Sequence, residues 1–180
     1  MKRKLVIVAT LILICRASCA EFLLADWTPE SIATRVGYSA VNLDEGFTKF
    51  EILANWPLTS DRTGKTGWYR EWLLECTAGA LTRSEEFSLV ATAGPLVRLR
   101  NTTCPLFVSV GIRGTLLGRN RFGDLNFGES LQFTSHIGAG LTVNNRFIIE
   151  YRLEHMSNAG LSQSNPGLNL HTIAFSFTFN

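Results

Sequence analysis

The chain of 180 residues is long enough for one domain with a complete core. Its 46% hydrophobic and 18% charged residues exclude a disordered chain, and a net charge of +2 without a dense Lys/Arg run gives no reason to expect a nucleic-acid partner. Beyond the N-terminus no apolar run is long enough for a helix to span a bilayer.

The N-terminus reads as an export signal. Lys2, Arg3 and Lys4 form a basic start, residues 5–14 are apolar, and Ser18-Cys19-Ala20 places small residues at the cleavage-determining positions. Cleavage is expected after Ala20, which leaves residues 21–180 as one domain. A lipoprotein signal at Cys19 is disfavoured by Arg16, where an apolar residue is wanted. Cys76 and Cys104 remain, and the strand reading below puts them towards opposite ends, too far apart to bridge.

From residue 30 onwards the sequence alternates with period two, the mark of half-buried strands. Strands are expected over 32–41, 47–58, 67–81, 87–100, 105–117, 131–143, 146–157 and 170–179. Turn signals separate them, among them residues 59–64, 101–103 and Asn144-Asn145. One face of each strand is apolar and the other polar. Phe50, Ile52, Ala54 and Trp56 oppose Lys49, Glu51 and Asn55; Ile173, Phe175, Phe177 and Phe179 oppose Thr172, Ser176 and Thr178. Alternation by itself does not say which face is inside. A soluble barrel hides its apolar face, whereas a membrane barrel shows it to lipid.

Three features favour the membrane. The polar faces carry Arg35, Lys49, Arg98, Arg113 and Arg152 against Glu51, Glu71, Glu75, Glu150 and Glu154, a balance suited to a paired network in a narrow lumen. The strands match a tilted bilayer crossing. Trp56, Trp68 and Trp72 are expected near strand ends, where interfacial aromatics belong. The alternating Phe175, Phe177 and Phe179 also look like the C-terminal assembly signal of outer-membrane barrels, although Asn180 follows them. The expected fold is therefore all-β: an eight-stranded antiparallel up-and-down transmembrane barrel.

The segment 152–169 carries the chemistry. It reads Arg-Leu-Glu-His-Met-Ser-Asn-Ala-Gly-Leu-Ser-Gln-Ser-Asn-Pro-Gly-Leu-Asn. On a strand His155 and Ser157 share a face, and it is the apolar face of Phe147, Ile149, Tyr151 and Leu153. A nucleophile–base pair facing lipid suits a membrane-embedded ester better than a soluble substrate. His155, Ser157, Asn158, Ala159, Gly160 and Leu161 resemble the His-x-Ser-Asn-Ala-Gly-Leu motif on the penultimate strand of the PagL family of lipid A deacylases. The detailed resemblance covers roughly the last thirty residues. It implies a serine esterase in the outer membrane, its site towards the outer leaflet, that hydrolyses the 3-O-linked hydroxyacyl chain of lipid A in lipopolysaccharide. His155 would deprotonate Ser157, and an acyl-enzyme would follow. No metal or other cofactor is needed. Asn158, Gly160 and Asn165 are candidates for the oxyanion hole, which needs N–H donors near Ser157. Where the family's Glu is expected to orient the histidine, this chain has Asn169. An amide still accepts from the ring, but stabilises an imidazolium less than a carboxylate. Glu154 points to the other face, and Asp124 or Glu129 would substitute only if their loop folds over.

Outside the motif, His136 is read as a lumen hydrogen-bonder and His171 as an interfacial polar residue. Gly64-Lys65-Thr66 lacks the first glycine of a P-loop. Arg83, Arg119 and Arg121 fall in loops at the site's end, where anionic lipid A phosphates would lie. The alternative function is a non-catalytic structural outer-membrane barrel with a decayed site. The sequence leaves open whether the barrel forms a homodimer.

Overall fold

The computed structural model describes residues 28–39, 46–63 and 67–179. The expected export signal, residues 1–20, lies outside them, as do residues 40–41 of the first expected strand, residues 64–66 and Asn180. Among the described residues ten strands follow one another: β1 (Ser31–Ser39), β2 (Phe47–Thr63), β3 (Trp68–Arg83), β4 (Glu86–Asn101), β5 (Cys104–Leu117), the short β6 (Arg121–Phe122) and β7 (Leu125–Asn126), then β8 (Leu131–Val143), β9 (Phe147–Ser157) and β10 (Leu168–Thr178). Eight of them close into an antiparallel barrel, with β1 completing the ring against β10 from Ser31↔Thr178 to Ser39↔Leu170. β6 and β7 form a separate small hairpin in the connection between β5 and β8.

The connections differ at the two ends. Tight turns join β4 to β5 and β8 to β9; this is the turn end. The β5–β8 and β9–β10 connections gather at the opposite, loop end. Asn144 and Asn145 both take positive φ, 51° and 55°, as a tight asparagine turn requires.

The polar faces point inward. Arg35, Lys49, Arg98, Arg113 and Arg152 are buried in the lumen together with Glu51, Glu75, Glu150 and Glu154. Glu75 is a hub: it pairs with Arg35 at 2.8 Å and Arg152 at 2.9 Å, and also with Arg113. Arg113 bridges on to Glu154 at 2.8 Å, Arg152 to Glu150 at 2.8 Å, and Lys49 joins Glu51 at 3.1 Å and Glu154. Glu71 is not in this layer: it sits nearer the turn-end rim, paired with Arg100 at 2.7 Å. His136 faces the lumen as expected, but among the described residues neither ring nitrogen has a hydrogen-bond partner; its ring lies over Gly111, where a Cβ would meet Cε1 at 2.5 Å.

The loop end of the lumen is plugged by apolar side chains. Phe47 meets Phe122 and Phe127 edge to face, with centroids 5.2 Å and 5.9 Å away, and Leu81, Leu117, Met156 and Leu168 pack around them. Among the described residues, an apolar plug thus caps the charge-paired layer at the loop end.

The outer wall is apolar around the barrel. Ile32, Phe50, Leu89, Val110, Ile137, Leu153 and Phe175 are each at least 45% exposed. A water-soluble protein rarely shows apolar patches of more than a few hundred Å², so this wall is built to face hydrocarbon. Trp68 and Trp72 are exposed on it, 43% and 38%. Trp56, expected near a strand end, lies well inside β2, because β2 runs on to Thr63 past a bulge between Pro57 and Thr59. The bulge shifts the inside–outside phase, and alternation read along the sequence loses the strand there. Cys76 lies opposite Ala93 on β4, whereas Cys104 lies opposite Asn101, so eight positions of β4 separate the two thiols.

Removing Glu75 would leave three guanidinium groups facing one another without their shared carboxylate. Glu75→Ala is therefore expected to destabilise the barrel by about 3–5 kcal/mol, read as a lower urea midpoint in refolding from detergent. A midpoint equal to the parent's would show that the lumen network does not hold the barrel together.

Candidate active site

The register of β9 decides which side chains reach the wall. Glu150, Arg152 and Glu154 point inward into the ion layer. Alternation then sends Tyr151, Leu153, His155 and Ser157 outward. A slip by one residue would push three charges into hydrocarbon, so the lumen holds His155 and Ser157 in place on the outer wall. Glu154 is thereby committed to Arg113, Arg35 and Lys49 and is on the wrong side to serve His155.

Asn169 sits directly opposite His155, on β10 rather than in the preceding loop. Its Oδ1 lies 2.8 Å from His155 Nδ1. An amide oxygen only accepts, so with this amide orientation Nδ1 carries the proton and Nε2 is left as the free base. The Cε1–Nε2 edge of the ring faces Gly167, where a Cβ would lie 3.2 Å from Cε1 and 3.9 Å from Nε2. Gly167 also has φ +68°, a backbone that a side chain resists. Ser157 is half-buried at the last position of β9, on the same face as His155. Its hydroxyl has no hydrogen bond among the described residues, so it is free to rotate about χ1.

The sequence-predicted site residues do not all gather around Ser157. Asn158 is fully buried on the lumen side. Its Nδ2 donates to Phe127 O at 3.0 Å and Ser164 O at 2.7 Å, and its Oδ1 accepts from Gly160 N at 2.9 Å. The backbone N–H of Asn158 donates to Asn165 Oδ1 at 3.0 Å. Asn158 thus organises the loop from beneath, and the N–H groups of Asn158 and Gly160 are both engaged within it. Asn165 is exposed, and with Oδ1 held by Asn158 its Nδ2 is left as a donor. Asp124 and Glu129 remain exposed, and Nδ1 of His155 turns to Asn169 rather than to either of them.

The sequence reading missed the second support of this loop. Phe122 and Phe127 enter the lumen mouth and carry the β6–β7 hairpin over it. Phe127 O then receives Asn158 Nδ2, while Ser164 Oγ donates to Asn126 O at 2.6 Å. Gly128 permits the approach: with φ +83°, its absent Cβ would fall 2.7 Å from Ser162 Cβ and against Ser164 O. The available signal was the run Asn126-Phe127-Gly128, a turn-forming pair around an aromatic, in which Gly128 N donates to Asn126 Oδ1 at 3.0 Å.

His171 lies one outward position below Asn169 on β10, opposite Leu153. Its Nδ1 is hydrogen-bonded to the Tyr151 hydroxyl, and the two rings stack with centroids 5.9 Å apart. On a wall facing hydrocarbon each polar tip satisfies the other. Two of the loop-end arginines have partners: Arg119 pairs with Glu86 at 2.8 Å, and Arg83 Nη1 donates to Phe122 O at 2.7 Å.

Asn158→Ala removes three hydrogen bonds beneath the loop but no part of the barrel wall. Limited proteolysis of the refolded variant is expected to cut within residues 158–167 at least about tenfold faster than in the parent, with the barrel core still resistant. Unchanged cutting would show that the loop is held elsewhere.

Known proteins share this fold. Residues 48–178 match the family model described as lipid A 3-O-deacylase (PagL). The chain is 36% identical over 75 residues to the lipid A deacylase PagL of Bordetella bronchiseptica, covering 41% of each chain. It is 39% identical over 69 residues to the protein of the same name from Pseudomonas aeruginosa, covering 38% of this chain and 40% of that one. The matched stretches thus span about two fifths of the length of these curated relatives. The fold resembles the crystal structure of the outer membrane enzyme PagL, with a TM-score of 0.69 and 23% identity, over 81% of this chain and 97% of that one. With the family model matched across most of the barrel, the chain belongs to the PagL family of lipid A 3-O-deacylases.

Proposed function

We propose that the protein is an outer-membrane serine esterase that removes the 3-O-linked hydroxyacyl chain of lipid A, exported through a signal cleaved after Ala20, with its loop end towards the outer leaflet. The observation that carries this reading is the His155–Asn169 hydrogen bond on the outer wall, beside Ser157. Family membership supplies the substrate class. The placement supports it, because an acyl ester in a bilayer leaflet is presented to a barrel's outside and not to its plugged lumen.

In this mechanism Asn169 Oδ1 holds Nδ1–H, so Nε2 is left to act as the base for Ser157, which shares the outward face of β9. The step requires the Ser157 hydroxyl within hydrogen-bond reach of Nε2. The proton passes to Nε2 as Oγ attacks the ester carbonyl. The tetrahedral oxyanion takes hydrogen bonds from donors at the start of the loop, with Asn165 Nδ2 the candidate that the loop leaves available. Collapse expels the sugar oxygen, which takes the proton from Nε2, and leaves Ser157 acylated. Water then loses a proton to Nε2 and attacks the acyl carbon. The hydroxy fatty acid leaves, and Ser157 recovers its proton. Asn169 orients the ring throughout without adding the charge stabilisation of a carboxylate. Lipid A and the surrounding outer-membrane lipids are the partners.

A second reading, a barrel that keeps the fold without turnover, rests on Asn169 alone. Mass spectrometry of lipid A after incubation with the refolded barrel separates the two. Loss of one hydroxyacyl chain is expected with the parent, reduced about a thousandfold or more in Ser157→Ala. Asn169→Glu is expected to raise kcat by about tenfold, since a carboxylate would stabilise the imidazolium. Unchanged lipid A with a correctly folded parent would favour the non-catalytic barrel, and equal loss with Ser157→Ala would remove Ser157 from the mechanism.

A further inference from the structure

Tyr151 and His171 form a polar pair on the outer wall that the mechanism above does not use. Tyr151 lies opposite Ile173, so its bond to His171 Nδ1 crosses diagonally from β9 to β10. Both side chains are exposed on the wall. A phenol carries one O–H, and an imidazole carries at least one N–H. Their mutual bond uses one of these donors. Neither residue has another hydrogen bond among the described residues, so at least one donor is left over. It sits on Nε2 when the phenol donates, and on the phenol when Nδ1 donates. An unmet donor beside hydrocarbon is costly. The described chain offers it no acceptor, so the acceptor comes from outside the protein.

Depth indicates which acceptor. His171 lies opposite Tyr38 on β1. Tyr38 is 59% exposed, and its hydroxyl lies against Gly46 at the loop end. An amphipathic ring so placed marks the boundary between acyl chains and headgroups. Acyl carbonyl and hydroxyl oxygens of a lipid lie at that depth. His171 is also a diagonal neighbour of His155, because Asn169 is the residue opposite His155. Such neighbours are about 7–8 Å apart. The pair therefore stands beside the reacting groups without touching them, on the flank of β9 that faces β10 and β1.

We propose that the Tyr151–His171 pair binds an oxygen, carbonyl or hydroxyl, of an acyl chain that the lipid substrate keeps. The proposal rests on the esterase reading and deepens it. The spare donor holds the part of the lipid that is not cleaved while the scissile ester meets Ser157. That contact is remote from the breaking bond, so it is equally strong in the ground state and the transition state. It therefore acts on KM and not on kcat. A lipid with several acyl chains is thereby favoured over an ester with only one.

The test uses the refolded full barrel in mixed micelles with two substrates. One is lipid A, and the other is a single-chain nitrophenyl ester whose only carbonyl is the scissile one. His171→Phe keeps a ring beside Tyr151 and removes both ring nitrogens. It is expected to raise the ratio of the lipid A KM to the single-chain KM by about five- to tenfold, with kcat on lipid A within about twofold of the parent. His171→Leu is expected to behave alike, so the test survives one variant failing to fold, and heat-modifiable gel migration shows which are folded. An unchanged KM ratio, or a loss confined to kcat, overturns the pair's role and leaves the esterase reading standing. A folded parent that hydrolyses neither substrate overturns the esterase reading and the pair's role with it.

Discussion

Ionised side chains shut away from water must satisfy one another, and in this barrel that requirement sets the strand register. Glu75 sits among Arg35, Arg113 and Arg152, and Glu154 among Arg113, Lys49 and Arg35. A shift of one strand by one residue would break several of these pairs at once and turn charges to the hydrocarbon. Breaking a buried pair by removing one member typically costs about 3–5 kcal/mol. The pairs therefore specify a single register even if they add little net stability. On β9 the consequence reaches function, because Glu150, Arg152 and Glu154 facing in is the condition for His155 and Ser157 facing out.

The loop end converts that register into a site. Phe47, Phe122 and Phe127 close the mouth with apolar contacts, which need no water and tolerate no large displacement. The closure fixes the carbonyl of Phe127, to which Asn158 is tied. Asn158 in turn shapes the backbone that follows Ser157, and Gly167 leaves room for the imidazole. The polar chemistry on the wall thus depends on an apolar plug inside it. In the proposed function that chemistry is offered towards the bilayer, where substrates of a leaflet would meet it.

Much of this was legible in the sequence, for a physical reason. A barrel wall between lumen and lipid imposes period two on every strand, and the eight long strands declare themselves by it. The lumen charges, the outward His155 and Ser157, and the inward Glu154 follow from the same parity. What parity does not carry was missed. The bulge at Pro57–Thr59 resets the phase of β2, so its last residues and the position of Trp56 were misjudged. The β6–β7 hairpin has strands of two residues each, too short for any period, and its burial arises only once the barrel has closed beneath it. The backbone around Asn158 and Gly160 reads from the sequence as a source of oxyanion donors, but the N–H of Asn158 is held by Asn165 Oδ1 and that of Gly160 by Asn158 Oδ1, contacts that only the folded loop creates. His136 was placed in the lumen by parity, but its lack of partners depends on rotamers that the sequence does not contain.

In the proposed mechanism Ser157 is a nucleophile activated by His155, which Asn169 orients. The most direct measurement is intact-mass and peptide-mapping spectrometry of the refolded barrel after exposure to a long-chain alkyl fluorophosphonate. One covalent adduct is expected, mapped to Ser157 in the parent and lost in His155→Ala. A folded parent that takes up no adduct, or one that carries it elsewhere, would contradict it.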